Sequence, residues 1–132
     1  MAPLMLLESA ARNSNGTGPA VNIVGNTSKY LVVLEYTAKP TGKENVMTVL
    51  VDTLIDTIWV NAICYRSAFG SQAVNRIAGH VLGSGGTVEG MAINYDCIVG
   101  TCRPALLGSK FKVRWICEGS QPFTFSVVAY AM

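Results

Sequence analysis

The chain has 132 residues, the size of one domain, and half of them are apolar, so it can bury about two-thirds of its unfolded surface. Charged residues make up only 14% of it, against roughly 25% in ordinary soluble domains. The net charge of +2 is too small to favour nucleic acid as a partner. No apolar run approaches the ~20 residues that a transmembrane helix needs.

The low charge leaves few charged side chains to separate apolar patches on the surface. A folded monomer of this mass exposes roughly 6,700 Å², so its 18 charged residues (10 basic and 8 acidic) stand one per about 370 Å². The largest apolar patch of a monomer is typically ~300–600 Å². A monomer covered by serine, threonine and asparagine is one interpretation. We favour the other, in which protein partners cover part of the surface.

The first third of the chain alternates apolar segments and turns. Residues 3–11 are mostly apolar and fit either a short helix or an edge strand. Residues 13–19 form a turn-rich run, and residues 20–24 are a short strand candidate. Residues 29–37 are apolar on nearly both faces, which is typical of a buried strand.

The middle of the chain contains two further strand candidates. Residues 46–51 and 58–65 are rich in β-branched and aromatic side chains, and residues 52–57 form a distorted link between them. Residues 67–80 are weakly patterned, and their glycines argue against a long helix. Residues 88–98 are predicted to be extended.

Two alternating runs close the chain. Phe111, Val113, Trp115 and Cys117 form one apolar row, and Phe123, Phe125, Val127 and Ala129 form another. The linker of residues 118–122 suits a longer hairpin loop, so a terminal β-hairpin is predicted. Short strands with turn signals every 8–15 residues or so predict an all-β fold: a single-domain antiparallel β-sandwich over residues 1–132, of which the jelly roll is one form.

Catalytic groups are scarce. His80 is the sole histidine, and the neighbouring Ser84 does not lie in the sequence of a nucleophile elbow. Asp52 and Asp56 would stand roughly 13 Å apart in an extended segment, beyond the ~5–9.5 Å that glycosidases use. The sequence therefore predicts no enzyme, no cofactor and no metal site.

The four cysteines leave alternatives open. Cys64 and Cys117 lie in strand-like runs, where a free thiol behaves as a small apolar group. The start of the chain lacks the features of a secretory signal, so disulfides are not expected. Cys97 and Cys102 are spaced more loosely than a usual zinc knuckle, and a disulfide between them or a metal shared with His80 remains an alternative.

Sugar binding is another alternative. Trp59, Trp115 and the five tyrosines offer rings on which a sugar could stack. Packing in a core or an interface is the commoner role of such rings in strands.

Three stretches and one residue resemble the capsid decoration (cement) proteins of tailed bacteriophages and prophages: residues 6–25, 31–38 and 111–131, together with Trp59 in a central strand. The resemblance implies a compact β-sandwich, in some members a jelly roll, that binds the outer face of the major capsid protein shell. It implies no active site. A tail, baseplate or minor coat component and a carbohydrate-binding adsorption module are the alternatives.

The resemblance also sets expectations for partners and location. We expect the major capsid protein and further copies of the chain, as a dimer or a trimer, to be partners. We expect no direct contact with nucleic acid or membrane. The protein would be made in the host cytoplasm and reside on the capsid exterior of the virion.

Three segments are predicted to form the protein interface. An N-terminal arm of residues 1–11 carries an apolar set ahead of a glycine-rich hinge. A glycine-rich loop at residues 83–90 is adaptable, and the last strand needs its edge or outer face covered. The interface residues in these segments are Leu4, Met5, Leu6, Leu7, Gly83, Gly85, Gly86 and Tyr130.

Overall fold

Strands make up the regular structure of this protein. The computed structural model describes residues 3–23, 29–70, 77–83, 92–94, 101–102 and 107–131, and within these it contains twelve strands and no helix. The strands are β1 (Leu4–Arg12), β2 (Gly16–Thr17), β3 (Val21–Asn22), β4 (Lys29–Ala38), β5 (Val46–Ile55), β6 (Ile58–Cys64), β7 (Ala68–Phe69), β8 (Ile77–Gly83), β9 (Ala92–Asn94), β10 (Thr101–Cys102), β11 (Lys110–Glu118) and β12 (Phe123–Ala131).

The strands form two antiparallel sheets that pack face to face. Sheet A has the order β1-β12-β4-β8-β9, and sheet B has the order β10-β6-β5-β11-β2, with β3 on β11 and β7 on β5. The chain repeatedly crosses between them: β1, β4, β8 and β12 lie in sheet A, whereas β2, β5, β6 and β11 lie in sheet B. The prediction of an antiparallel β-sandwich is confirmed.

The core lies between the inward faces of the sheets. Its largest side chains are aromatic, and Tyr30 of sheet A meets Phe111 of sheet B edge to face, with ring centroids 5.4 Å apart. The accessible surface is 6716 Å², close to the expectation for a compact monomer of this mass. The charge density estimated from the sequence therefore applies to the folded chain.

The predicted C-terminal hairpin is wrong, because its two strands belong to different sheets. Strand β11 pairs with β5, whereas β12 lies between β1 and β4. The two apolar rows therefore face each other across the core, and the rings of Trp115 and Phe125 meet edge to face at 6.1 Å. The linker is an arch: Gly119 adopts a φ of 86°, and a side chain there would collide with Asn45.

Other segments also differ from the sequence-based expectation. Strand β5 continues to Ile55 and turns tightly into β6 through Asp56, whose φ is 58°, so the distorted link is a hairpin turn. Strand β8 emerges from the weakly patterned segment. Residues 3–11 take the edge-strand alternative as β1.

Candidate protein-docking surface

The apolar N-terminal segment is part of the sandwich. Leu6 and Leu7 are only 1% and 5% exposed and belong to the core, and Leu4 packs against it. Because β1 pairs along its length with β12, the segment is an edge strand rather than a projecting arm. The side chains of Leu6 and Leu7 thus stabilise their own subunit. Met5 points outward and is 49% exposed.

The other predicted interface residues lie in different settings. Tyr130 points outward from β12 and is 43% exposed. Gly83 is not in a surface loop, because it is buried at the end of β8 opposite Lys29. Gly85 and Gly86 lie outside the described residues.

Met5 and Tyr130 share the outward face of sheet A with three further apolar residues. Met5 lies opposite Val128, which lies opposite Val33, and Tyr130 lies opposite Leu31 in the next row. Leu31, Val33 and Val128 are half-buried. The outward face of an antiparallel sheet is normally polar where it meets water. We call these five residues the docking face.

Two charges of opposite sign flank the docking face on β4. Outward positions on this strand are occupied in turn by Lys29, Leu31, Val33 and Glu35. Lys29 is exposed and Glu35 is half-buried, and among the described residues neither makes an ion pair. Strand β4 therefore presents a cation, two apolar side chains and a carboxylate in a line.

The outward face of sheet B has a polar centre that is paired within the chain. Nε of Arg114 donates to Oδ2 of Asp52 at 2.7 Å, and Nδ2 of Asn61 donates to Oδ1 of the same carboxylate at 3.1 Å. Nζ of Lys112 lies 4.2 Å from the ring centroid of Trp59. Among the side chains that the structure describes, the larger exposed apolar ones outside the docking face are Ile55, Ile58, Phe69 and Ile116. Polar and charged side chains therefore interrupt the apolar surface of sheet B, whereas the five residues of the docking face adjoin one another.

Arg12 organises the edge of sheet A, and the sequence patterns did not single it out. The register of β1 against β12 shifts between Met5 and Leu7 and again between Leu7 and Ala10. Arg12 donates from Nη2 to the carbonyl of Glu8 at 2.8 Å, and from Nη1 to those of Ala10 at 3.1 Å and Phe125 at 3.0 Å. A five-donor guanidinium fork suits this task.

The surroundings of Arg12 also protect the edge. Its guanidinium carbon lies 4.8 Å from the ring centroids of both Trp115 and Phe125, and burial lowers the pKa of Arg12. Bulges and an inward-pointing charge discourage another strand from adding to an edge. A pocket of about 340 Å³ opens beside it, lined by Met5, Leu6, Leu7, Glu8, Arg12 and Pro19.

The residues considered for catalysis are not brought into one site among the described side chains. The Asp52 carboxylate is occupied by Arg114 and Asn61, and Asp56 forms the β5–β6 turn. His80 lies on β8 opposite Val32. No group of three or more histidine, cysteine or acidic residues within the described residues is arranged to hold a metal ion.

The cysteines and tryptophans are accounted for in part. Cys64 and Cys117 are half-buried free thiols, as predicted, and burial raises the pKa of Cys117. Cys97 lies outside the described residues. Trp115 donates from Nε1 to the carbonyl of Ser14 at 2.9 Å and is stacked under Arg12, so its ring is engaged within the chain.

Comparison with protein-family models, curated proteins and solved structures finds no match for this chain. In the part of the chain that the structure describes, no helix is long and apolar enough to cross a membrane.

Proposed function

We propose that this chain is a structural protein of a virus particle, a capsid decoration protein that binds the outer surface of the shell and cements neighbouring major capsid protein subunits. The observation that carries the proposal is the docking face, a continuous apolar surface on a chain with few charges. Full burial of one large apolar side chain contributes about 1.5–3 kcal/mol. Covering the partly exposed side chains of this face therefore contributes several kcal/mol to association.

A surface of this kind suits a clamp. A clamp that holds two shell subunits gains from effective concentration, because the second contact forms within an assembly that already exists. It needs an apolar contact surface and sheet edges that do not recruit strands. The docking face and the edge protected by Arg12 meet both needs.

The strand order supports a second candidate, a coat subunit that builds a shell itself. We read the alternation of strands between β1-β12-β4-β8 and β2-β11-β5-β6 as the order of a jelly roll. This architecture occurs in viral capsid domains and in lectins. A coat subunit would assemble alone into closed shells, which electron microscopy of the purified protein would reveal.

Sugar binding is supported less well. Lys112 lies over the ring of Trp59, and Trp115 is engaged by Arg12 and Ser14. A stacking platform for a sugar needs an unoccupied ring face. A glycan array is the direct test, and saturable binding of a defined sugar would favour an adsorption module.

The principal test is the position of the protein in purified virions. Labelling with gold-conjugated antibody against this chain is expected to mark icosahedral heads. Label confined to tails, or none on particles of a phage that encodes the chain, would contradict the proposal. The variant Val128→Asp, which places a charge in the docking face, is expected to lower the number of copies per head. Ile116→Asp on sheet B is the control, because it places the same charge on an exposed apolar residue outside that face.

A further inference from the structure

We infer that the occupant of the docking face is a second copy of this chain, related by a two-fold axis that passes over the middle of β4. The inference rests on the proposed function: the docking face joins two copies of this chain, and the resulting dimer is the unit that binds the shell. It starts from the outward row of β4, in which Lys29 and Glu35 stand at opposite ends of two apolar residues. When a second copy of the row is laid over it in the opposite direction, each charge therefore meets the opposite charge and each apolar side chain meets an apolar one.

The spacing of this row lets two reversed copies of it pair opposite charges with each other and apolar side chains with each other. Alternate residues of a strand lie about 6.8 Å apart on one face, so Lys29 and Glu35 are separated by roughly 20 Å. Consider a two-fold axis that runs parallel to the sheet, across the strands, and passes over Val32. It sets Lys29 of one copy over Glu35 of the other, and Leu31 over Val33. A two-fold interface requires this reciprocity, in which residue i meets j and j meets i.

The same two-fold axis also pairs the outward residues of strand β12. In the β12–β4 register Val32 lies opposite Ala129, so the axis passes over Ala129 as well. Tyr130 of one copy then meets Val128 of the other, and each apolar row of the face is covered by an apolar row. Aromatic and aliphatic side chains at the centre with charges at the margin are the usual anatomy of such interfaces.

The charge pattern favours a second copy over an unrelated protein, and two further observations are compatible with a face-to-face dimer. The charge pattern complements itself, and neither Lys29 nor Glu35 makes an ion pair within the described residues. Arg12 donates to backbone carbonyls at the β1 edge and so discourages the addition of another strand there, which leaves the docking face as the contact surface. A standard interface buries about 800 Å² per partner, an eighth or so of the 6716 Å² surface, and five strands of sheet A can supply it.

Charge reversal tests the pairing. Glu35→Lys sets Lys29 of each copy against a lysine, and Lys29→Glu sets two carboxylates together. Each single reversal is expected to raise the dimer dissociation constant about tenfold or more, because two symmetry-related pairs become repulsive at once. The double variant, Lys29→Glu with Glu35→Lys, is expected to restore the wild-type dissociation constant. Sedimentation equilibrium on the purified full chain measures all three.

Controls separate the pairing from other effects. Glu118→Lys reverses an exposed charge at the end of β11 and is expected to leave the dissociation constant unchanged. Thermal unfolding of each variant checks that the fold is retained. A monomeric or trimeric wild type, insensitivity to the single reversals, or a double variant as weak as the single ones would overturn the inference.

The dimer and the decoration function are tested on different samples, so that one can fail without the other. Sedimentation uses the protein alone, whereas gold labelling uses virions. A dimer without label on heads refutes the decoration function and upholds the interface. Labelled heads with a monomeric purified protein refute the interface and uphold the function. When both hold, each dimer presents two identical surfaces to the shell and can bridge two subunits.

Discussion

The phenolic hydroxyl of Tyr65 donates a hydrogen bond of 2.6 Å to the backbone carbonyl of Val32. Tyr65 directly follows β6 in sheet B, and Val32 lies in the middle of β4 in sheet A, so this bond joins the two sheets through the core. Both residues are buried. Water therefore cannot replace the bond at this site, and the contact holds β4 and its docking face at a fixed position over sheet B.

Tyr65→Phe is expected to lower the free energy of unfolding by about 1 kcal/mol, because it removes this bond and keeps the ring. Urea unfolding followed by tryptophan fluorescence measures the change. A variant as stable as the wild type would show that the bond contributes nothing to the association of the sheets.

Tyr36→Phe is the matched comparison. Among the described residues, the hydroxyl of Tyr36 is the buried side-chain polar atom that has no hydrogen-bond partner. An unsatisfied buried hydroxyl costs about 1–3 kcal/mol, so its removal is expected to leave stability unchanged or to raise it within that range. A loss similar to that of Tyr65→Phe would mean that the Tyr36 hydroxyl has a partner in solution.

The same hydroxyl makes stability depend on alkaline pH. Burial raises the pKa of Tyr36 above its ordinary value of 10.0. As the pH rises above 10, the unfolded chain loses this proton while the folded chain retains it, so the free energy of unfolding falls by about 1.4 kcal/mol per pH unit. Below pH 10 both states hold the proton, and this contribution is constant.

Tyr36→Phe is therefore expected to make the decline between pH 10 and 11 shallower by about 1 kcal/mol, because at pH 10 half of the unfolded chains have already lost the proton. Urea unfolding at several pH values tests it, with Tyr130→Phe as the control, because Tyr130 is exposed. Burial also raises the pKa of Cys117, which acts in the same direction in every variant compared. Equal slopes in wild type and Tyr36→Phe would rule out the assignment.

Sequence patterns predicted the long strands well, because side-chain alternation reports which face is buried. The run at residues 29–37 became β4, and the last two runs became β11 and β12. Alternation does not report which strand pairs with which, however. Two apolar rows are buried equally well when their strands are neighbours in one sheet and when they face each other across the core. The sequence pattern therefore does not distinguish the arch at Gly119 from a hairpin.

The candidate site was predicted in part for similar reasons. Tyr130 and Met5 were named as interface residues, and both lie on the docking face. Leu6 and Leu7 were misassigned because a bulge in β1 lets two consecutive side chains turn inward, which breaks the alternation on which the prediction depends. Arg12 carries no sequence signal, since its partners are backbone carbonyls brought together only by the fold.

Arg12→Lys is expected to lower the free energy of unfolding by about 1–3 kcal/mol, because an ammonium cannot reproduce the planar fork that serves the three carbonyls. Arg66→Lys, at an exposed position, is the control and is expected to have no effect. Hydrogen exchange should also show faster opening of the β1 amides in Arg12→Lys. Unchanged protection of β1 would mean that the bulged edge holds without the guanidinium.

The ion pair between Asp52 and Arg114 is expected to respond unequally to loss of either partner. The Asp52 side chain is 7% exposed and that of Arg114 is 36% exposed. Arg114→Met leaves a buried carboxylate with Asn61 as its remaining side-chain donor, so it is expected to cost about 2–3 kcal/mol, less than a fully buried broken pair.

Asp52→Asn lets the arginine turn to water and keeps an acceptor for Asn61, so about 1 kcal/mol is expected. Chemical denaturation of both variants tests the order, with Asp56→Asn as the control for removal of an exposed carboxylate from the neighbouring turn. A larger loss for Asp52→Asn than for Arg114→Met would show that the arginine, rather than the carboxylate, is the group that cannot regain water.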